Sequence, residues 1–165
     1  MQDPLATYLH DHLAGSTFAV DLIQNLEEQY AGRPLGDLAG TLLVEIQKDQ
    51  EILQGLADRV GDRDIGLKEA TAWIAEKLSH FKLRRDLAGE LGTFEALETL
   101  ALGILGKISL WRALSVLAQN DFRLAGIDFV QLIAKAQSQH DRVEAQRLSM
   151  LVAAFQPRPH LTEGG

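Results

Sequence analysis

Residues 93–119, TFEALETLALGILGKISLWRALSVLAQ, limit the possible folds more than any other stretch, because in them only Glu95, Glu98, Lys107 and Arg112 carry charge. Apolar residues recur at Leu97, Ala101, Ile104, Ile108, Trp111, Leu114 and Ala118, the spacing of one helical face. A second row, Leu100, Leu102, Leu105 and Leu117, makes the predicted helix apolar around most of its circumference. Such a helix needs cover on several sides. Its length, about 39 Å at the standard rise, sets the length of whatever covers it.

The chain supplies that cover as further amphipathic segments. Asp3-Pro4 is a helix start, a capping side chain followed by a proline whose missing N–H is not needed at the first position. Helical spacing then runs through Leu5, Leu9, His12, Ser16, Val20, Ile23, Leu26 and Tyr30 to the stop Gly32-Arg33-Pro34. A second helix is predicted from Asp37 to Gly61, with Leu38, Leu42, Ile46, Asp49, Leu53, Leu56 and Val60 on one stripe. The short connection makes these two antiparallel. A shorter segment, 64–81, carries Ile65, Ala70, Trp73, Ile74, Leu78 and Phe81 between two polar, glycine-containing stretches. It reads as a crossover helix of roughly 27 Å, long enough to return the chain along the bundle, so that the second helix and the central one run parallel. After a turn at 120–127, Asp128 caps a last helix whose stripe is Phe129, Leu132, Ile133, Ala136, His140, Val143, Arg147, Leu151 and Phe155, ending at Gln156-Pro157. The expected organisation is one helical domain over residues 1–156 and a poorly ordered tail over 157–165.

Composition narrows the function. A net charge of -7 opposes a nucleic-acid partner, which needs clustered cations; Lys82-Leu83-Arg84-Arg85 reads as a solvated helix end. Without cysteine there is no disulfide framework and no thiolate chemistry. Residues 1–13 lack the basic and apolar regions of an export signal, and Lys107 and Arg112 interrupt the central apolar run, so neither export nor a membrane span is expected. The expected location is the cytoplasm. No G-x-S-x-G, phosphate-binding loop or dinucleotide fingerprint occurs.

Each long helix nevertheless carries an ionisable residue where its stripe calls for an apolar one: His12, Asp49, Lys107 and His140. Counted along the helices, these lie about 12, 16, 18 and 20 Å from one end of the bundle, with Glu45 at about 22 Å and Glu144 at about 26 Å. One polar layer can hold them. Two chemistries fit. The favoured one is a register-fixing salt-bridge layer of His12, Asp49, Lys107, His140 and Glu45, in which Lys107 neutralises Asp49 or Glu45 and no cofactor is needed. The alternative is a metal-binding protein or oxidoreductase with an iron, manganese or zinc site drawn from His12, Glu45, Asp49, His140 and Glu144. Lys107 argues against it, because a fixed ammonium beside a dication is repulsive.

Two helices, a crossover and two more helices with polar residues inside resemble the ferritin-like four-helix bundles. The stretches YLHDHLAGS (8–16), AWIAEK (72–77) and GILGKISLWRAL (103–114) also resemble a group of uncharacterised bacterial proteins of about this length. The ferritin-like resemblance implies an all-α bundle with a core di-iron site built on Glu-x-x-His pairs. Here Glu45 is followed three residues on by Lys48, Glu144 by Arg147, and His140 is preceded by Gln137. The pattern departs from the family's at each position. The expectation is therefore a non-catalytic bundle acting through its surface, on an unknown protein partner or as a homodimer, with Trp73, Ile74, Leu78 and Phe81 of the crossover on the outside.

Overall fold

A computed structural model describes residues 3–61 and 89–157. Within them lie α1 (Pro4–Gln29), α2 (Pro34–Val60), α3 (Glu90–Leu117), a 3-10 turn (Phe122–Leu124), α4 (Phe129–Ser149) and the short α5 (Leu151–Phe155). No strand occurs among the described residues. The fold is all-helical, with four long helices in mutual contact. The crossover helix expected over 64–81, with its apolar face, lies outside the described residues, as does the tail from 158.

Local chemistry sets the helix starts. Asp3 Oδ1 accepts from the Leu5 N–H at 2.8 Å, and Asp128 Oδ1 from the Gln131 N–H at 3.0 Å, which satisfies donors that have no partner inside the helix. Pro34, expected only to stop the first helix, also begins the second. The first helical position needs no N–H, so a proline serves both ends of a tight connection. α1 and α2 approach so closely there that a Cβ on Gly36 would sit 2.2 Å from the Tyr30 carbonyl oxygen.

Contacts between ends give the helix directions. The Tyr30 hydroxyl meets Thr93 Oγ1 at 2.7 Å, joining the end of α1 to the start of α3. At the opposite end Arg123 Nη1 donates to Asp3 Oδ2 at 2.6 Å, and Arg59 Nη1 donates to the Ala125 carbonyl at 3.1 Å. Phe155, after α4, packs edge-on against Phe94 at 5.3 Å. Hence α1 and α4 run one way and α2 and α3 the other. α1 packs on α2 and α3, and α4 on α3 and α2, so the parallel pair α2 and α3 sits across the diagonal. Gly61, against Ala6, and Gly89, one turn from Thr93, are at opposite ends of the bundle.

The core is a shared interior of Leu9, Leu22, Ile23 and Leu26 from α1, Leu42, Leu53 and Leu56 from α2, and Leu97, Leu100, Ile104, Trp111 and Leu114 from α3, closed by Leu132, Ala136 and Val143 of α4. Each large side chain contributes about 1.5–3 kcal/mol by leaving water. By length and hydropathy α3 would also qualify as a bilayer-crossing segment, a test that core helices pass too.

Two expectations need correction. Of the second apolar row on α3 only Leu100 is buried; Leu102, Leu105 and Leu117 are exposed. The last helix is not continuous either. It ends at Ser149, where the Met150 N–H bonds to Arg147 and Leu148 carbonyls in a tightened turn. α5 then redirects the chain over the start of α3, leaving Leu151 and Phe155 exposed instead of on a core stripe.

Candidate functional site: a buried charge cluster and the cavity beside it

Two of the polar residues expected in the interior meet. Lys107 Nζ of α3 lies 2.7 Å from Asp49 Oδ2 of α2, across the bundle diagonal, where a shorter side chain would fall short. Asp49 is 2% exposed, and Lys135 Nζ of α4 approaches its other oxygen at 3.2 Å. Gln139 completes the centre. Its side-chain oxygen accepts from Lys107, while its Nε2 donates to Asp49 Oδ2 at 3.3 Å and Glu45 Oε2 at 3.2 Å. Arg142 Nη2 holds Glu45 from the surface side at 2.6 Å.

Burial pushes the Lys107 ammonium down from its ordinary value, and the adjacent Asp49 opposes that shift. Burial pushes the Glu45 carboxyl up, but hydrogen bonds from Arg142 and Gln139 outweigh it and hold the group below its ordinary value. Lys107, Lys135 and Arg142 face Asp49 and Glu45, three cations against two carboxylates, so the cluster carries one surplus positive charge.

His140 does not join it. Gln139 is fully buried in the position expected for His140, whose Nδ1 is buried without a hydrogen-bond partner, 3.5 Å from the neighbouring Asp141 carboxylate. Both i+3 and i+4 from Ala136 fall within about 60° of its direction, so periodicity cannot choose between them. The amide suits the centre because it donates and accepts at once. Lys135, Gln139 and Arg142 were missed by reading apolar stripes. Their own spacing, i, i+4 and i+7, was the available signal.

Glu144 is also elsewhere. Arg147 holds both its oxygens, at 2.6 and 2.9 Å, and reaches Glu98 at 3.1 Å. His12 stands on α1, its ring edge-on to Tyr8 at 4.8 Å. Burial lowers its pKa below the ordinary 6.5, with the Asp11 charge opposing. Of the set proposed for a metal, Glu45 and Asp49 are joined through Gln139, and cations or the Gln139 amide occupy both Asp49 oxygens and Glu45 Oε2. Among the described residues no three His, Asp or Glu gather to hold a metal ion.

Family models, curated proteins and solved structures give no match to this chain.

Beside the cluster, α1, α2 and α3 line a half-open cavity of about 100 Å³. Gly15, Ser16 and Ala19 of α1 and Gly103 of α3 make the space by lacking bulk, and Asp49, Lys107 and His12 all face it. Gln50 Nε2, also on its wall, donates to Ser16 Oγ at 2.9 Å. Trp111 lines it as well; the residue is fully buried, yet its indole N–H has no acceptor.

Proposed function

We propose that this protein is a non-catalytic bundle of ferritin-like topology, cytoplasmic, that acts through its surface as a homodimer or on another protein. Its inner cluster holds helices in register. The observation that carries this reading is the 2.7 Å contact of Lys107 with Asp49. An ammonium in that place supplies the positive charge that a dication would otherwise bring, and repels one that approaches. The topology is supported by the parallel run of α2 and α3, with Gly61 and Gly89 at opposite ends of the bundle. Association is supported by Leu148, Leu151, Val152 and Phe155, exposed apolar side chains close together in sequence at the end of α4 and in α5.

Elemental analysis of protein purified without a histidine tag tests the cluster. Substoichiometric metal is expected; stoichiometric iron, manganese or zinc that is lost in Glu45→Gln would overturn the reading. Light scattering tests the association: a mass of twice 18.2 kDa is expected for the dimer. A mass of one chain, unchanged on concentration, leaves the hetero-partner form alone.

A further inference from the structure

α3 differs from the other long helices on its outer face. Among the described residues α1 exposes no large apolar side chain, α2 exposes Val44, and α4 exposes Val130 and Leu148; α3 exposes Leu102, Leu105, Val116 and Leu117. A helix apolar on both its inner and outer faces needs more cover than its own bundle supplies. Most of the outer residues fall on one stripe. Glu98, Leu102, Leu105, Ser109, Arg112 and Val116 are spaced alternately by four and three residues, all are exposed, and at about 100° per residue all point within about 40° of one direction. Charge along that stripe selects its cover. Glu98 and Arg112 stand about two helical turns from Leu105, on opposite sides of it. A two-fold axis beside Leu105, laying a second α3 antiparallel on the first, puts Glu98 of each copy opposite Arg112 of the other. Both groups are able to pair. No carboxylate partners Arg112 among the described residues, and Glu98, to which Arg147 donates at 3.1 Å, is still 53% exposed. A parallel copy would set like charge on like, and a bilayer would bury both charges in hydrocarbon, so the pattern fits neither.

We infer that this outer stripe of α3 is a homodimer interface that packs antiparallel on its own copy, with Leu102 and Leu105 of both chains at the centre and a Glu98 to Arg112 ion pair on either side. The inference rests on the homodimer form of the function proposed above and names its interface, with the patch from Leu148 to Phe155 as the competing place. The two hydrocarbon side chains supply the burial, and the ion pairs fix direction and register, because only the antiparallel order matches opposite charges.

The test is light scattering of the full chain at micromolar concentration, where the parent is expected at twice 18.2 kDa. Arg112→Glu and Glu98→Arg each set like charges together in both pairs and are expected to raise the dimer Kd by at least about a hundredfold, giving the mass of one chain. An equimolar mixture of the two variants restores opposite charge in both pairs and is expected to return to the dimer mass. Both residues are exposed, so the helical circular dichroism is expected to stay as in the parent. The chain has no cysteine, so a thiol introduced singly is the only one present. Leu105→Cys is expected to be coupled to its copy by a short bis-maleimide, and Val44→Cys, exposed on α2, is not. A parent with the mass of one chain overturns the inference and assigns the stripe to residues 62–88 or to a different protein. A dimer that neither charge variant weakens, or that couples through Val44→Cys and not through Leu105→Cys, overturns it too, yet leaves the homodimer standing with its interface at Leu148 to Phe155. A mixture that stays at the mass of one chain overturns the antiparallel pairing.

Discussion

Two glycines of α2 show how one residue type serves opposite needs. At Gly36 a Cβ would lie 2.2 Å from the Tyr30 carbonyl oxygen, and that neighbour is backbone, unable to swing aside. Gly36→Ala is expected to lower stability by about 1–3 kcal/mol, the usual cost of forcing atoms into a packed contact. At Gly55 the same Cβ meets nothing. Gly55→Ala should stabilise by about 0.5–1 kcal/mol, since glycine in a helix interior gives up more backbone freedom than alanine does. Urea melts of the two variants check both signs. If Gly36→Ala proved neutral, the close entry of α2 beneath Tyr30 would be wrong.

At the scale of helices, the cluster fixes how α2, α3 and α4 slide past one another. Lys107 reaches Asp49 across the diagonal, and a shift of either helix by one residue, about 1.5 Å, would break the contact. Lys107→Met alone leaves a nearly fully buried carboxylate with the Gln139 amide and, as its one remaining cation, the partly exposed Lys135, and is expected to cost about 3–5 kcal/mol. Adding Asp49→Leu should recover much of that loss, because two apolar side chains need no partner. Denaturant melts of the four proteins in the cycle measure the coupling. Additive losses would show that the two side chains act separately, against the observed geometry.

For the molecule as a whole, acid should act in two stages. Burial holds the His12 pKa below 6.5, so between its native value and 6.5 the unfolded chain binds more protons than the folded one. Its contribution is complete above about pH 6.5 and falls away as the pH drops through that window. His12→Gln should remove this first stage and leave the second. The second belongs to Glu45 and Glu144, held below 4.5, together with Asp3 and Asp121, which the Arg123 hydrogen bonds hold below 3.8. For Glu45, the pull of Arg142 and Gln139 overcomes burial; for Glu144, the hydrogen bond from Arg147 dominates. Their stabilisation is present above about pH 4.5 and is lost as the pH falls through their native values. Stability from urea melts between about pH 7.5 and about pH 3 checks the order; a single-stage loss unaltered in His12→Gln would refute it.

The all-helical class, the helix starts at Pro4 and Asp128, and the interior position of Leu97, Ile104, Trp111 and Leu114 were legible in the sequence, because caps and a 3.6-residue period act within one helix. So was the suggestion that Asp49 and Lys107 share a level, since height along a bundle is simple counting. What only the tertiary structure decided was azimuth and partnership. Gln139 rather than His140 faces inward, Leu102 and Leu105 face outward, Glu144 turns to Arg147, and Trp111 stands on a cavity with its N–H unmet. Positions at i+3 and i+4 satisfy one period equally, and the choice between them rests on which neighbour's charge or void the side chain meets.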